Sequence, residues 1–263
     1  MGERFGAASA GSYDRGLGHV SREFIPALLR AARLAPGQRV LDVATGTGMA
    51  AEAAIEAVGP SGHLVATDLS PAMLEKARER LGHLPNVSFA IADGQELTLP
   101  DESFDAVLCS VGLMLFPDPA CGVAEFRRVL RPGGWAAASV NTTPERAFAT
   151  RVDAVIGRHV PERAATAARY FSLGDAGRLR SLFVAAGFRE VETFTEARRF
   201  PFASFDAYFA PIDEGQGPTG QAFAALPAKV RHVVCEEVRR QLGGRAGGPI
   251  EVEVEILFGC GRR

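Results

Sequence analysis

The sequence has little of what marks several specialised protein classes, and cysteine is the first example. Only four of its 263 residues are cysteines, namely Cys109, Cys121, Cys235 and Cys260. They are too sparse for a disulfide framework, and they share no CxxC or other metal-ligand spacing, so no metal site is predicted. We expect them to be reduced thiols in a cytoplasmic protein.

Charge of one sign and long apolar runs are also missing. The chain has 29 Lys and Arg against 31 Asp and Glu, which lacks the basic excess typical of nucleic-acid-binding proteins. No apolar run approaches the roughly 20 residues of a membrane span, and residues 1–16 lack the profile of a secretion signal. These absences predict a protein without a nucleic-acid partner and without a membrane span.

What is present is an alternation of short β-rich runs with amphipathic helical stretches, typical of a parallel sheet wrapped by helices. The predicted strands of the first half are Arg39–Val43, His63–Thr67, Val87–Ile91, Asp105–Cys109 and Trp135–Val140. The predicted helices there are Ser21–Leu34, Met49–Val58, Pro71–Leu81 and Ala120–Leu130, the last one stopped by Pro132.

The second half is less regular. It contains a predicted helix over Asp175–Ala186, a strand over Arg189–Arg198 and a helix over Pro227–Leu242. In the last run, Ile250–Gly259, apolar residues first alternate with glutamates, which favours an antiparallel or edge strand with one wet face.

The glycine loop in VLDVATGTGMAAEA, Val40–Ala53, is the most informative stretch. A strand runs into Gly46-Thr47-Gly48 and a helix follows at once, so the backbone can approach a ligand and the helix can present unpaired N–H groups. Asp68 closes the second strand, where a carboxylate can accept both ribose hydroxyls. The loop and Asp68 indicate a nucleoside-containing ligand, and a relaxed dinucleotide fingerprint also fits this spacing.

Asp42 distinguishes between these ligands. It lies at the carboxyl end of the first strand, four residues before Gly46. A carboxylate at that point would repel a pyrophosphate but would suit an ammonium group. S-adenosylmethionine has an ammonium group and a ribose, and it has no phosphate.

Four motifs then appear in order over residues 38–140: VLDVATGTG, ATDLSPAML, ADGQELTLPDESFDAV and EFRRVLRPGG. Together they resemble the class I S-adenosylmethionine-dependent methyltransferases, and are most similar to the ubiquinone/menaquinone-biosynthesis (methyltransferase type 11) small-molecule enzymes. The resemblance implies an α/β fold with a doubly wound, seven-stranded Rossmann-like sheet, an antiparallel last strand and helical cap insertions. It also implies one domain over 1–263, with a cofactor-binding core at 38–140, cap segments at 1–35, 141–172 and 200–248, and a final strand at 250–260.

The same resemblance implies a cofactor site for S-adenosyl-L-methionine. Its residues would be Asp42, Ala44, Gly46 and Gly48 at the methionine end, Asp68 and Leu69 at the ribose and adenine edge, Ala92, Asp93 and Gly94 at the adenine amine, Ser110 and Val111 facing the sulfonium, and Tyr13 closing over the cofactor. Ala44-Thr45 departs from the Gly-Cys that many relatives have there, but both residues remain small.

Several alternatives stay open at this point. Asp93 also fits a plain Asp-Gly turn, and the aromatic residues within 200–209 could pack the core or line an acceptor pocket. No catalytic residue is assigned, because no local motif supports any histidine as a base. We expect methyl transfer to an O, N or C atom of a small-molecule acceptor. The alternatives are a non-methylating enzyme on the same fold and a nicotinamide-dependent dehydrogenase, and a homodimer is left open.

Overall fold

The computed structural model describes Ser12, Asp14 and residues 18–243 and 248–263. The strands are β1 (Arg39–Val43), β2 (His63–Asp68), β3 (Val87–Ile91), β4 (Phe104–Ser110), β5 (Leu130–Asn141), β6 (Arg189–Phe202) and β7 (Ile250–Arg262). The helices are α1 (His19–Arg22), α2 (Ile25–Ala31), α3 (Met49–Val58), α4 (Pro71–Leu81), α5 (Pro119–Val129), α6 (Thr150–His159), α7 (Pro161–Arg169), α8 (Ala176–Ala185), α9 (Phe205–Asp213), α10 (Gly217–Ala224) and α11 (Ala228–Gln241).

The strands form one seven-stranded sheet in the order β3-β2-β1-β4-β5-β7-β6. Neighbours from β3 through β5 are parallel, whereas β7 runs antiparallel to both β5 and β6. This architecture confirms the predicted fold class and the antiparallel last strand. The strand order reverses between β1 and β4, and in such sheets ligands bind outside the carboxyl ends at that reversal.

The central strands β1, β2 and β4 are buried on both faces, as their near-continuous apolar sequences predict. Successive residues of β1 illustrate this, because Val40 belongs to the apolar cluster on one face and Leu41 to the cluster on the other. Local signals define the flanking helices. At α4, the Ser70 hydroxyl accepts a hydrogen bond from the Met73 N–H at 3.3 Å, and Pro71 occupies the first turn, where a missing N–H costs nothing.

The predicted helix over Ser21–Leu34 is wrong as a single element. Two helices, α1 and α2, occupy this stretch with a break at Glu23 and Phe24. Pro26 lies in the first turn of α2 and has no N–H to donate to a preceding helical turn. A new helix therefore begins there.

Two further boundaries differ from the prediction. Helix α5 ends at Val129, before Pro132, and β5 begins at once with an irregular register across residues 131–134. Strand β6 continues past Arg198 to Phe202, paired with β7 as far as Ile250. The first residues assigned to the cap segment at 200–248 therefore belong to the sheet.

The two outer strands of the sheet, β3 and β6, differ in length and composition. Strand β3 is five residues long, whereas β6 has fourteen residues and carries most of the charged side chains of this edge. Charges pair across β6 and β7, for example Arg199 Nε with Glu253 Oε2 at 3.2 Å. Among the described helices, none is long and apolar enough to cross a membrane.

Candidate functional site

A cavity opens at the carboxyl ends of β1, β2 and β4, where the strand order reverses. We call it the strand-end cavity. Its described lining is Ala44, Gly46, Asp68, Leu69, Ser70, Met73, Ala92, Asp93, Gly94, Gln95, Ser110, Val111, Gly112, Leu115, Phe116 and Pro117. Nine of the residues predicted for the site are among them, so the fold brings together four segments that are far apart in sequence.

The two glycines of the loop have different surroundings. A Cβ atom added to Gly46 would meet nothing within 4 Å, which fits its place on the cavity wall. A Cβ added to Gly48 would lie 3.2 Å from the Cβ of Ala77 on α4, and Gly48 has a φ of +84°. Gly48 therefore allows a left-handed turn and close helix packing, and it is not part of the described lining.

Asp68 holds the glycine loop in place. Its carboxylate accepts hydrogen bonds from the backbone N–H groups of Gly46 and Ser70, each at 2.8 Å. Burial raises the pKa of Asp68, and these backbone hydrogen bonds oppose the rise. The side chain reaches the cavity and at the same time joins the end of β2 to the loop after β1.

Asp42 lies behind the cavity wall, outside its described lining. The residue is fully buried, and its Oδ2 accepts a hydrogen bond from the Thr45 hydroxyl at 2.6 Å. Among the residues that the structure describes, Oδ1 has no hydrogen-bond partner. Burial raises the pKa of Asp42 to about 7. An unpartnered, buried carboxylate oxygen fits a missing cationic group, and direct contact with a cofactor ammonium stays a prediction.

The Asp93 segment forms the turn that its Asp-Gly sequence predicts. The carboxylate accepts the backbone N–H of Gln95 at 2.9 Å, and the Glu96 N–H donates to the Asp93 carbonyl at 3.1 Å. A Cβ on Gly94 would lie 2.4 Å from the ring of Phe116, so a larger residue there would force the ring to move. The turn is observed, and a contact of Asp93 with an adenine amine stays a prediction.

Backbone strain marks the junction of β4 with the next loop. Val111 has a φ of +51°, a conformation that is costly for a β-branched residue. Its N–H donates to both the carbonyl and the hydroxyl oxygen of Ser139, at 3.0 and 3.1 Å. Ala44 also has a positive φ of 56°. Both strained residues line the strand-end cavity.

A second cavity adjoins the first, and we call it the inner chamber. The two share Ser110, Val111 and Leu115. The other described lining residues of the chamber are Val20, Ser21, Phe24, Met114, Ser139, Asn141, Phe148, Ala149, Thr150, Tyr170, Pro218, Thr219, Val254 and Ile256. They come from α1 and the break after it, the segment that follows β4, β5, β7 and the helical segments that follow β5 and β6, and they are mostly apolar.

The aromatic run, meaning the aromatic residues within 200–209, packs in the core and does not line either cavity. Phe205, Tyr208 and Phe209 are buried in the main apolar cluster and lie outside the described lining of both cavities. The Tyr208 hydroxyl donates to the carbonyl oxygen of Phe148 at 2.9 Å, and the two rings meet edge to face. Of this aromatic group, Phe148 is the member that reaches the inner chamber.

Comparisons with known proteins give the family. A family model described as a methyltransferase domain matches residues 40–134. A demethylmenaquinone methyltransferase of Clavibacter sepedonicus is 35% identical over 214 residues, which cover 77% of this chain and 82% of that protein. The chain belongs to the class I S-adenosylmethionine-dependent methyltransferases.

A second relative is similar over a smaller region, and a solved structure shares the fold. A ubiquinone/menaquinone biosynthesis C-methyltransferase of Teredinibacter turnerae is 41% identical over 102 residues, 38% of this chain and 41% of that protein. The YcgJ protein of Bacillus subtilis has a similar fold, with a TM-score of 0.63 and 19% identity over 93% of this chain and 98% of that one. No nicotinamide-dependent dehydrogenase is supported.

One residue of the predicted cofactor site lies outside the part of the chain that the structure describes. Tyr13 lies outside the described residues, and so does the side chain of His19. The described residues hold no group of three or more His, Cys, Asp or Glu side chains that could bind a metal.

Sequence reasoning missed part of the cavity wall, namely Met73, Leu115, Phe116 and Pro117. The apolar run VGLMLFP directly after β4 was the available signal for the last three of these, because the ends of parallel strands share one edge of the sheet.

Proposed function

We propose that this methyltransferase binds S-adenosylmethionine in the strand-end cavity. The observation that carries the proposal is the convergence of the predicted segments on one cavity, with Asp42 behind it. The buried Oδ1 of Asp42 provides a partner for the cofactor ammonium, and Asp68 lies where ribose hydroxyls are expected. When bound, the cofactor supplies an electrophilic methyl group.

The inner chamber is the proposed site of the acceptor. It meets the strand-end cavity at Ser110 and Val111, the residues expected near the sulfonium, so the acceptor atom would be held in line with the methyl group. Its mostly apolar lining suits a small apolar molecule. The names of the relatives point to carbon methylation of a demethylmenaquinone-type ring, and we propose a reduced naphthoquinone ring as the acceptor class.

Calorimetry with S-adenosylmethionine tests the cofactor assignment. We expect a dissociation constant in the micromolar range, which corresponds to a binding free energy of about −8 kcal/mol. The acceptor is tested with 1,4-dihydroxynaphthalene kept reduced, with detection of S-adenosylhomocysteine and of the methylated ring. Failure to bind the cofactor at millimolar concentration defeats the whole proposal. Cofactor binding without ring methylation defeats only the acceptor class.

A further inference from the structure

The glycine loop is also held by a charged group on α4. The side chain of Arg80 is only 16% exposed. Its Nε donates to the carbonyl oxygen of Thr47 at 2.9 Å, and one terminal nitrogen donates to Glu52 Oε2, also at 2.9 Å. The other terminal nitrogen donates to the carboxylate of Asp14. We call Asp14, Thr47, Glu52 and Arg80 the Arg80 cluster.

Thr47 is bound through both its side chain and its backbone. Its hydroxyl donates to Asp14 Oδ1 at 2.6 Å, while its carbonyl accepts from Arg80. Thr47 lies between the two glycines, whose backbones can adopt many conformations. Contacts to Thr47 therefore restrict a loop whose own sequence does little to fix its shape.

A second N-terminal residue, Ser12, contacts the chain next to the wall of the inner chamber. Two residues before Asp14, the Ser12 hydroxyl oxygen accepts the N–H of Gly217 at 2.9 Å. Gly217 directly precedes Pro218 and Thr219, which line the inner chamber. Ser12 and Asp14 thus connect the glycine loop with the chamber wall, although Thr47 and Gly217 are about 170 residues apart in sequence.

The charges of the cluster balance locally. Arg80 faces the carboxylates of Asp14 and Glu52, and Arg22 lies 3.4 Å from Glu52. Two cations and two anions therefore meet beside the glycine loop. The cavity face of Gly46 is left free for a ligand.

We propose that Asp14 and Arg80 are positioning residues, which hold the glycine loop in its ligand-binding shape and thereby set how fast the cofactor dissociates. This inference rests on the proposed cofactor site. A loop fixed before binding loses less conformational entropy when the ligand arrives. Release of the cofactor then requires the Thr47 contacts to loosen, so the dissociation rate is the sensitive quantity.

The test uses S-adenosylhomocysteine as the probe, with calorimetry for affinity and stopped-flow displacement for the dissociation rate. The variants are Asp14→Asn, Arg80→Met and the double variant, with Arg80→Lys as the conservative change. The matched control is Glu79→Gln, because Glu79 neighbours Arg80 on α4 but pairs with Lys76 on the exposed face at 2.6 Å.

We expect each single variant to weaken binding about 10-fold, mostly through faster dissociation. The double variant should be little weaker than either single one, because both residues act through Thr47. Arg80→Lys should recover part of the loss, and Glu79→Gln should match wild type. Hydrogen exchange at residues 46–48 should be faster in Asp14→Asn.

Unchanged affinity and dissociation rate in the variants, with or without a lower melting temperature, would overturn the inference and assign the cluster a structural role only. Additive losses in the double variant would overturn the shared action through Thr47. Absence of binding by the wild type would instead overturn the proposed cofactor site, and the inference with it.

Discussion

The two halves of the chain line the cavities with different kinds of residue and structural element. Over residues 39–141, the walls are mostly backbone turns and small or acidic residues at strand ends, such as Ala44, Gly46 and Asp68. Over residues 142–249, the chamber wall is made of helices and the segments beside them, and it includes large side chains that also belong to the core, such as Phe148. A wall of backbone fixes one ligand closely, whereas a wall of side chains can change its ligand by substitution.

This contrast separates binding from stability. In the first half, the groups at the cavity carry costs for folding, including positive φ at Val111 and a buried carboxylate at Asp42. In the second half, the aromatic side chains pack against each other in the core. Substitutions in the first half should therefore change cofactor affinity, and those in the aromatic group should change stability.

Phe205→Ala should have the largest effect and should affect stability alone. Phe205 is buried and stacks on Phe209 with ring centroids 5.2 Å apart, so its removal leaves a cavity in the core. We expect a loss of about 3–5 kcal/mol in the free energy of unfolding, measured by chemical denaturation. Calorimetry well below the melting temperature should show unchanged cofactor affinity.

A weaker companion to this variant is Tyr208→Phe, which keeps the ring but removes the donor to the Phe148 carbonyl oxygen. It should cost about 1–3 kcal/mol. Reduced cofactor affinity in Phe205→Ala would show that the two halves are not separable in this way.

Asp68→Ala should affect both properties, because Asp68 joins the cavity to the loop. Loss of the acceptor for two backbone N–H groups should lower the free energy of unfolding by about 1–3 kcal/mol. Loss of the expected ribose acceptor should weaken cofactor binding by about 1.5–3 kcal/mol. Denaturation and calorimetry measure the two effects, and Asp68→Asn should lie between the variant and wild type. Wild-type affinity in Asp68→Ala would restrict Asp68 to holding the loop.

Asp42→Asn should raise the stability of the fold and lower the affinity for the cofactor. Burial raises the pKa of Asp42 from 3.8 to about 7, so the folded protein binds this proton more tightly than the unfolded chain. The resulting destabilisation is complete above about pH 7 and is lost as the pH falls toward 3.8. Above pH 7 the variant should therefore be more stable by about 1–3 kcal/mol.

Cofactor binding by the same variant should be weaker by about 1.5–3 kcal/mol, because the ammonium loses a charged partner. In the wild type, affinity should fall as the pH drops below about 7, since protonation removes the carboxylate. Calorimetry over this pH range should show no such dependence in Asp42→Asn. If Asp42→Asn binds the cofactor as tightly as wild type, Asp42 does not contribute to cofactor binding.

Leu69→Ala should have the smallest effect. Leu69 is 48% exposed and lines the strand-end cavity, whereas Ile91, at the end of neighbouring β3, is 55% exposed and outside the described lining. We expect Leu69→Ala to weaken cofactor binding by about 0.5–1 kcal/mol with stability nearly unchanged. Ile91→Ala is the matched control, and equal affinities in the two variants would remove Leu69 from the site.

The sequence predicted the first half well because its signals are local. A serine N-cap followed by proline, as at Ser70 and Pro71, favours a helix start, and a strand followed by Gly46 and Gly48 predicts a turn and a helix start. The approximate positions of the cavity residues followed from this, since the ends of parallel strands share one edge.

Contacts between distant residues were beyond such reasoning. Nothing near Gly48 in the sequence indicates that Ala77 lies against it, and nothing near Asp68 shows that it holds the Gly46 N–H. The aromatic run was ambiguous for the same reason. Its alternation continues β6 through Phe202, and only the partner Phe148 shows which way the rings face.

The long outer strand β6 has a consequence for the protein at high concentration. An outer strand exposes unpaired backbone groups that can recruit a strand from another molecule, and aggregation begins in that way. Strand β6 carries Arg198 and Arg199 near Pro201, which has no N–H to offer. Charged side chains on an outer strand and a proline within it both disfavour pairing with a strand of another molecule, so this edge should recruit such a strand poorly despite its fourteen residues.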